Sequence, residues 1–167
     1  VMAADSLAEY GQSPAPLPEQ TLARLDAVLP QFWSRSNPID ILGDATPDRF
    51  QKVIEICADA KGVHGVLLIL APQALSDPMA IARILVETLE NRKFPVVTCW
   101  MGGKRIEDAM DLLNRSGIPT YETPERAVRA FLYLREYADN LVTLTQVPPK
   151  LARNLDVDRD QAAGLIS

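Results

Sequence analysis

Three short segments of this sequence contain residues that could bind a small anion. The first is a turn that leads into a predicted helix and contains Gly43, Asp44, Ala45 and Thr46. Thr46 suits an N-cap, because Pro47 follows it at the first helical position. A glycine-bearing loop that opens into a helix N-terminus presents backbone N–H groups to a carboxylate, a phosphate or a pyrophosphate. The alternative is that this turn only changes the direction of the chain.

The other two segments each follow a predicted buried strand. Pro72, Gln73 and Ser76 lie in the first of these loops, and the side chains of Gln73 and Ser76 could hold an amide or a carboxylate. Gly102 and Gly103 lie in the second loop, where the absence of a side chain would let a phosphate or carboxylate approach the backbone. Both segments are equally consistent with plain loop structure.

The sequence supplies no obvious catalytic group. Its one histidine, His64, lies at the amino end of a predicted strand and therefore opposite the loops, where we expect a structural role. No serine lies in a nucleophile elbow, and no GxxxxGK[ST] phosphate-binding motif is present. Trp100 could line an apolar wall. These residues indicate a ligand-binding domain without a catalytic residue or a metal site of its own.

Alternating strands and helices must position the three segments. The predicted strands cover residues 64–71, 95–100 and 118–121, and the predicted helices cover residues 1–10, 18–30, 47–60, 78–91, 104–116 and 124–139. An extended segment through Ile39, Ile41 and Leu42 precedes the third helix and is expected to enter the core as a further strand, with its carboxyl end at residues 42–46. Since this alternation is typical of parallel βαβ units, ligands are expected in the crevice beyond the carboxyl ends of the strands.

Two of these elements carry further expectations. Residues 64–71, HGVLLILA, form the most hydrophobic run, which predicts the central strand of the sheet. The last helix should direct Val128, Phe131, Leu132 and Leu134 inward.

Composition limits the class of protein. The chain has 167 residues, with 47% hydrophobic and 23% charged, which is typical of one soluble globular domain. No apolar run approaches the roughly 20 residues that span a bilayer. A net charge of −5 argues against nucleic-acid binding. Cys57 and Cys99 lie in apolar runs without metal-ligand spacing, so we expect reduced core thiols of a cytosolic protein.

The two ends of the sequence predict a piece of a longer protein. The first residues, VMAADSLAEYG, begin directly in helical composition, so a preceding strand and loop are expected to be missing. Residues 141–167 contain Pro148-Pro149 and read as a linker. A missing first strand would leave an exposed sheet edge, which could pair two copies of the chain.

Five motifs resemble one known family. In order they are VMAADSLAEYG, NPIDILGDATPDRF, VHGVLLILAPQALSDP, PVVTCWMGG and SGIPTYETPERAVRAF. Together they resemble the last α/β domain of the nucleoside-diphosphate-forming acyl-CoA synthetases and, more distantly, the carboxyl-terminal domain of the succinyl-CoA ligase β subunit. The resemblance implies a three-layer, flavodoxin-like parallel sheet over residues 1–140, with its first strand missing, and a linker toward an ATP-grasp domain over residues 141–167.

The resemblance also implies a function. These synthetases convert an acid, CoA and ATP into acyl-CoA, ADP and phosphate through a phosphohistidine, with magnesium accompanying the nucleotide. The helix beginning at Val1 and Met2 resembles the family's phosphate-facing helix, whereas His64 does not match the setting of the phosphohistidine. The family's glycine-rich acid-binding loop is here Ala-Pro-Gln-Ala-Leu from Ala71 onward, which departs from the pattern.

The implied partners are other domains of the same polypeptide, namely a CoA-binding domain and an ATP-grasp domain. The same module occurs in protein lysine acetyltransferases, fused to the acetyltransferase domain. The alternative function is therefore a non-catalytic module that senses acyl-CoA or a nucleotide.

Overall fold

Short hydrophobic strands alternate with helices along this chain and form an α/β fold. The computed structural model describes residues 1–73 and 76–146. The strands are β1 (Val66–Leu70), β2 (Val96–Trp100) and β3 (Thr120–Tyr121). The helices are α1 (Met2–Glu9), α2 (Glu19–Asp26), α3 (Pro47–Ala58), α4 (Pro78–Leu89), α5 (Glu107–Arg115) and α6 (Pro124–Thr145), and a 3-10 turn covers Gly103–Ile106.

The three strands are parallel and lie in the order β1-β2-β3. Val66 pairs with Val96, and Leu70 pairs with Trp100, so β1 and β2 are in register along their whole length. All five residues of β2 are buried. The prediction that the HGVLLILA run is the central strand is therefore wrong, because β2 is central and β1 lies at an edge of the described sheet.

Helices cover both faces of the sheet. On one face, side chains from α3, α4 and α5 pack against β1 and β2, and this cluster includes Phe50, Ile54, Leu68, Ile81, Leu85, Trp100 and Leu113. On the other face, Ala127 and Phe131 of α6 pack against Val97 and Cys99 of β2. A third cluster joins Leu25 of α2 to α3. The predicted three-layer α/β arrangement is confirmed.

The predicted helix boundaries are largely confirmed because they depend on local signals. The Thr46 side chain accepts a hydrogen bond from the Arg49 N–H at 3.3 Å, and Asp77 accepts from the Ala80 N–H at 3.0 Å. Gly117 follows α5 with a φ of 79°, a left-handed conformation that favours glycine after a helix.

Three details of the predicted fold are wrong. The segment through Ile39 and Ile41 packs against the core but pairs with no strand in the described ranges. Leu134 is 45% exposed rather than directed inward. The last helix continues past residue 139 to Thr145, so the expected linker begins in helical structure; Pro148-Pro149 lies outside the described residues.

The chain divides into two compact units, Val1–Leu134 and Arg135–Ser167. The first contains the sheet and its core. In the described part of the second, α6 exposes Tyr137, Leu141 and Leu144, and Arg135 pairs with Asp139 at 3.6 Å. No helix within residues 1–73 and 76–146 is long and apolar enough to cross a membrane.

Both cysteines are buried free thiols, as predicted for core residues. Burial raises the pKa of the Cys57 thiol to about 11. Burial also raises the pKa of Cys99 to about 11, with a smaller contribution from the charge of Glu125. Both thiols are therefore protonated and unreactive near neutral pH.

A buried hydrogen bond joins β2 to β3, and it predicts that substitutions of its two threonines differ in their cost. The Thr98 hydroxyl donates to the Thr120 hydroxyl at 2.8 Å, and the Thr120 hydroxyl donates to the Ile118 carbonyl at 3.1 Å. Thr120→Val leaves the buried Thr98 hydroxyl without its acceptor, so we expect a loss of about 1–3 kcal/mol in unfolding free energy. Thr98→Val should cost only about 0.5–1.5 kcal/mol, because the Thr120 hydroxyl keeps its acceptor. Urea unfolding measures both, and equal losses would contradict this order.

Candidate functional site

The turn at Gly43 is held by its own backbone and by an aspartate. The Leu42 carbonyl accepts from the Ala45 N–H at 3.2 Å, which closes a four-residue turn with Gly43 and Asp44 at its centre. The Asp40 carboxylate accepts from the Leu42 N–H at 2.9 Å. Leu42 itself has a φ of 66°, a left-handed conformation that is uncommon for a residue other than glycine.

Arg49 of α3 fastens this turn to the helix. Its Nη1 donates to the Ile41 carbonyl at 2.9 Å and to the Asp44 carboxylate at 2.7 Å. The arginine side chain is only 18% exposed. This hydrogen bond and the charge of Arg49 hold the pKa of Asp44 below its usual value. The Gly43 turn is therefore rigidly attached to α3.

The N-terminus of α3 already satisfies most of its own donors. Pro47 has no N–H, the Arg49 N–H bonds the Thr46 side chain, and the Phe50 N–H bonds the Thr46 carbonyl at 3.2 Å. An anion at this place would therefore depend mainly on donors from the neighbouring loops.

In the loop after β1, reciprocal hydrogen bonds join Gln73 and Ser76. The Gln73 N–H donates to the Ser76 hydroxyl at 3.0 Å, and the Ser76 N–H donates to the Gln73 carbonyl at 3.1 Å. Arg105, from the 3-10 turn after β2, donates through Nη2 to the carbonyls of Gln73 and Ser76, both at 3.1 Å. Arg105 thus ties the loop after β2 to the loop after β1.

Two glycines show how close the three segments lie. A Cβ added at Gly43 would overlap the side-chain amide of Gln73. A Cβ added at Gly102 would come within 3.0 Å of Ile106 and 3.1 Å of Pro72. The structure therefore brings the Gly43 turn, the loop after β1 and the loop after β2 into contact at the carboxyl ends of β1 and β2, where the ligand crevice is expected.

Other predicted residues take different positions. Val1 is 97% exposed at the start of α1, and the placement of Val1 and Met2 beside the crevice stays a prediction. His64 is exposed and precedes β1, at the amino end of the strand as predicted. Trp100 is fully buried in the core cluster and forms no exposed wall. Its indole N–H has no hydrogen-bond partner among the described residues.

Sequence reasoning missed Arg49 and Arg105. Both lie near the start of a helix, where the helix dipole disfavours a cation. An arginine near the start of a helix therefore suggests a compensating contact, and this was the one indication in the sequence that Arg49 and Arg105 have specific partners. Both side chains donate to carbonyls of the loops that build the crevice.

A concave region of about 620 Å³ lies at the amino ends of the strands. Leu89, Phe94, Pro119 and Leu134 contribute apolar side chains to its walls, and Glu90, Arg92 and Ser116 contribute charged and polar ones. It lies at the end of the sheet opposite the three predicted segments. The described residues contain no group of three or more His, Cys, Asp or Glu side chains that could hold a metal ion.

Comparison with known proteins gives a consistent result. Residues 1–139 match the profile of the Ligase-CoA domain family. Over 99% of its length the chain is 33% identical to the ADP-forming acetate–CoA ligase I of Archaeoglobus fulgidus, of which it covers 23%. Over 83% of its length it is 38% identical to the ADP-forming acetate–CoA ligase of Methanocaldococcus jannaschii, of which it covers 20%.

A solved structure has the same fold. It is the dinucleotide-forming acetyl-coenzyme A synthetase 1 of Candidatus Korarchaeum cryptofilum in complex with phosphate and ADP. The TM-score is 0.78 at 26% sequence identity, and the match covers 87% of this chain and 32% of the synthetase chain. The chain thus spans about a quarter or less of the two curated relatives and about a third of this synthetase.

The contact between Arg49 and Asp44 predicts a pH dependence. Because the pKa of Asp44 is lowered in the fold, the stabilisation of the turn is complete above the ordinary aspartate pKa of about 3.9 and is lost as pH falls through the folded value. We expect Arg49→Gln to raise the pKa of Asp44, measured by NMR titration of its carboxyl carbon. Lys52→Gln is the matched control, because Lys52 pairs with Asp48 at 2.8 Å. An unchanged Asp44 pKa in Arg49→Gln would refute this assignment.

Proposed function

The chain belongs to the Ligase-CoA domain family, and from this we propose that it is the ligase-type domain of an ADP-forming acyl-CoA synthetase. The whole protein would convert an acid, CoA and ATP into acyl-CoA, ADP and phosphate, or catalyse the reverse reaction. The names of the two curated relatives, both ADP-forming acetate–CoA ligases, support this reaction. The acetyltransferase alternative has no support from these relatives.

The convergence of three loops at one end of the sheet is the observation that carries this proposal. Gly43 lies against the amide of Gln73, and Gly102 lies against Pro72. In open parallel sheets, ligands bind beyond the carboxyl ends of the strands. We therefore assign to this crevice the carboxylate of the acid or the phosphate, both small anions that an amide and backbone N–H groups can hold.

The chain's own part in the reaction is to bind and orient rather than to react. The crevice supplies the Gln73 amide and the glycine-bearing loops, and the helix that starts at Val1 and Met2 would face the phosphate. The phosphohistidine would come from another part of the protein, because His64 lies at the opposite end of β1.

CoA and ATP or ADP, the latter with magnesium, are proposed as cofactors of the whole protein. The phosphate and ADP named for the Korarchaeum synthetase support this part of the proposal. The crevice suits the anionic parts of such compounds, since Gln73 and Ser76 place polar groups beside two glycine-bearing loops. We propose CoA-binding and ATP-grasp domains as partners, and a cytoplasmic location.

The first test is activity of the isolated chain. We expect no acyl-CoA from the chain with acetate, CoA, ATP and magnesium, because the phosphohistidine is supplied elsewhere. The longer polypeptide that carries this domain, or the chain mixed with its remaining domains, should form acetyl-CoA. A thioester assay with chromatographic detection of acetyl-CoA measures both, and synthesis by the chain alone would contradict this division.

The second test locates the anion. In amide NMR spectra, titration with acetate or inorganic phosphate should shift signals at Gly43, Gln73, Ser76, Gly102 and Gly103. Signals around His64 provide the internal control, because that residue lies at the amino end of β1. Shifts that cluster around His64 and spare the crevice would reject the proposed site.

A further inference from the structure

We infer that Arg105 is a positioning residue that fixes Gln73, so that the Gln73 amide serves as the anion donor of the crevice. This inference rests on the proposed function and identifies which side chains set the affinity of its site. Arg105 lies in the 3-10 turn Gly103–Ile106, and its Nη2 donates to the carbonyls of Gln73 and Ser76, both at 3.1 Å.

The backbone of Gln73 is held at both of its polar groups. Its N–H donates to the Ser76 hydroxyl at 3.0 Å, and its carbonyl accepts from Arg105 and from the Ser76 N–H. The backbone from which the Gln73 side chain extends is therefore fixed. A fixed donor loses less conformational entropy on binding than a mobile one, so it binds an anion more tightly.

The side-chain amide of Gln73 lies where the anion would approach. It contacts Gly43 so closely that any Cβ at that position would overlap it. The N-terminus of α3 contributes little beyond this amide, since Thr46 caps it and Pro47 lacks an N–H. Gln73 therefore links the loop after β1 to the Gly43 turn and places an uncharged side-chain donor between them.

The geometry favours arginine for this role. One guanidinium nitrogen reaches two carbonyls on either side of the loop, and the planar group offers several N–H donors in a fixed arrangement. A positive charge alone would also attract an anion. The two effects differ in one respect: attraction by charge acts independently of Gln73, whereas positioning acts through Gln73.

A double-mutant cycle on the whole 167-residue chain separates these effects. The probes are acetate and inorganic phosphate, titrated separately, and the readout is the apparent Kd from amide NMR shifts at Gly43 and Gly102. We expect Arg105→Ala and Gln73→Ala each to raise the Kd about 2- to 10-fold, the range for loss of one hydrogen bond. The double variant should bind no more weakly than the weaker single variant, because both remove the same donor.

The controls address charge and folding. Lys104→Ala makes the same change in net charge in the same 3-10 turn, and its Kd should stay within about twofold of wild type. The Gln73 side-chain amide signals should move in Arg105→Ala but not in Lys104→Ala. Arg105→Gln is an alternative substitution of Arg105 with which the double-mutant cycle can be repeated. Thermal unfolding, followed by circular dichroism, identifies any variant that is not folded.

The outcomes distinguish this inference from the proposed site. Additive effects of the two substitutions, or wild-type Kd in Arg105→Ala, would overturn the positioning role while leaving the anion site intact. If the wild-type chain bound neither probe at the crevice, the proposed site would fail and the inference with it. If the substitutions raise the Kd of acetate, the anion is the carboxylate of the acid. If they raise the Kd of inorganic phosphate, it is phosphate.

Discussion

Burial of β2 on both faces and along both edges is the constraint on which the rest of the described structure depends. All five of its side chains are buried, and burying each large aliphatic or aromatic side chain contributes about 1.5–3 kcal/mol. Such a strand needs a neighbour on each side and helices above and below, which β1, β3 and the two helical layers provide. Parallel pairing in register then places the ends of β1 and β2, at Leu70 and Trp100, side by side.

Much of the fold could be predicted from the sequence because its signals are local. A cap followed by proline marks the start of α3 at Thr46 and of α4 at Asp77, and both side chains accept a backbone N–H of their helix. Which strand is central in the sheet cannot be read from local sequence. HGVLLILA is more hydrophobic than PVVTCW, yet Ile69 is 41% exposed, because burial depends on which elements pack against the strand rather than on its own composition.

The site was predictable only in part, for the same reason. Glycines and strand ends locate the three loops, because backbone freedom and parallel topology can be read from the chain. The contacts between them cannot be read in this way. Gly43 and Gln73 are thirty positions apart, and the 3-10 turn that carries Arg105 lies farther along again, so only the folded sheet makes them neighbours. The charges of Arg49 and Arg105 resemble those of any solvated helix until their carbonyl partners are known.

Both arginines act on backbone carbonyls near the start of a helix, and this has a common physical explanation. The loops at the carboxyl ends of parallel strands leave carbonyl groups that no ladder can pair, so these groups bond to side chains or to water. Arg49 satisfies the carbonyl of Ile41, and Arg105 satisfies those of Gln73 and Ser76. The two cations thus join loops that lie far apart in the sequence. Under the proposed function these ordered loops would hold the anion, and Arg105 would act by positioning Gln73 rather than by its charge.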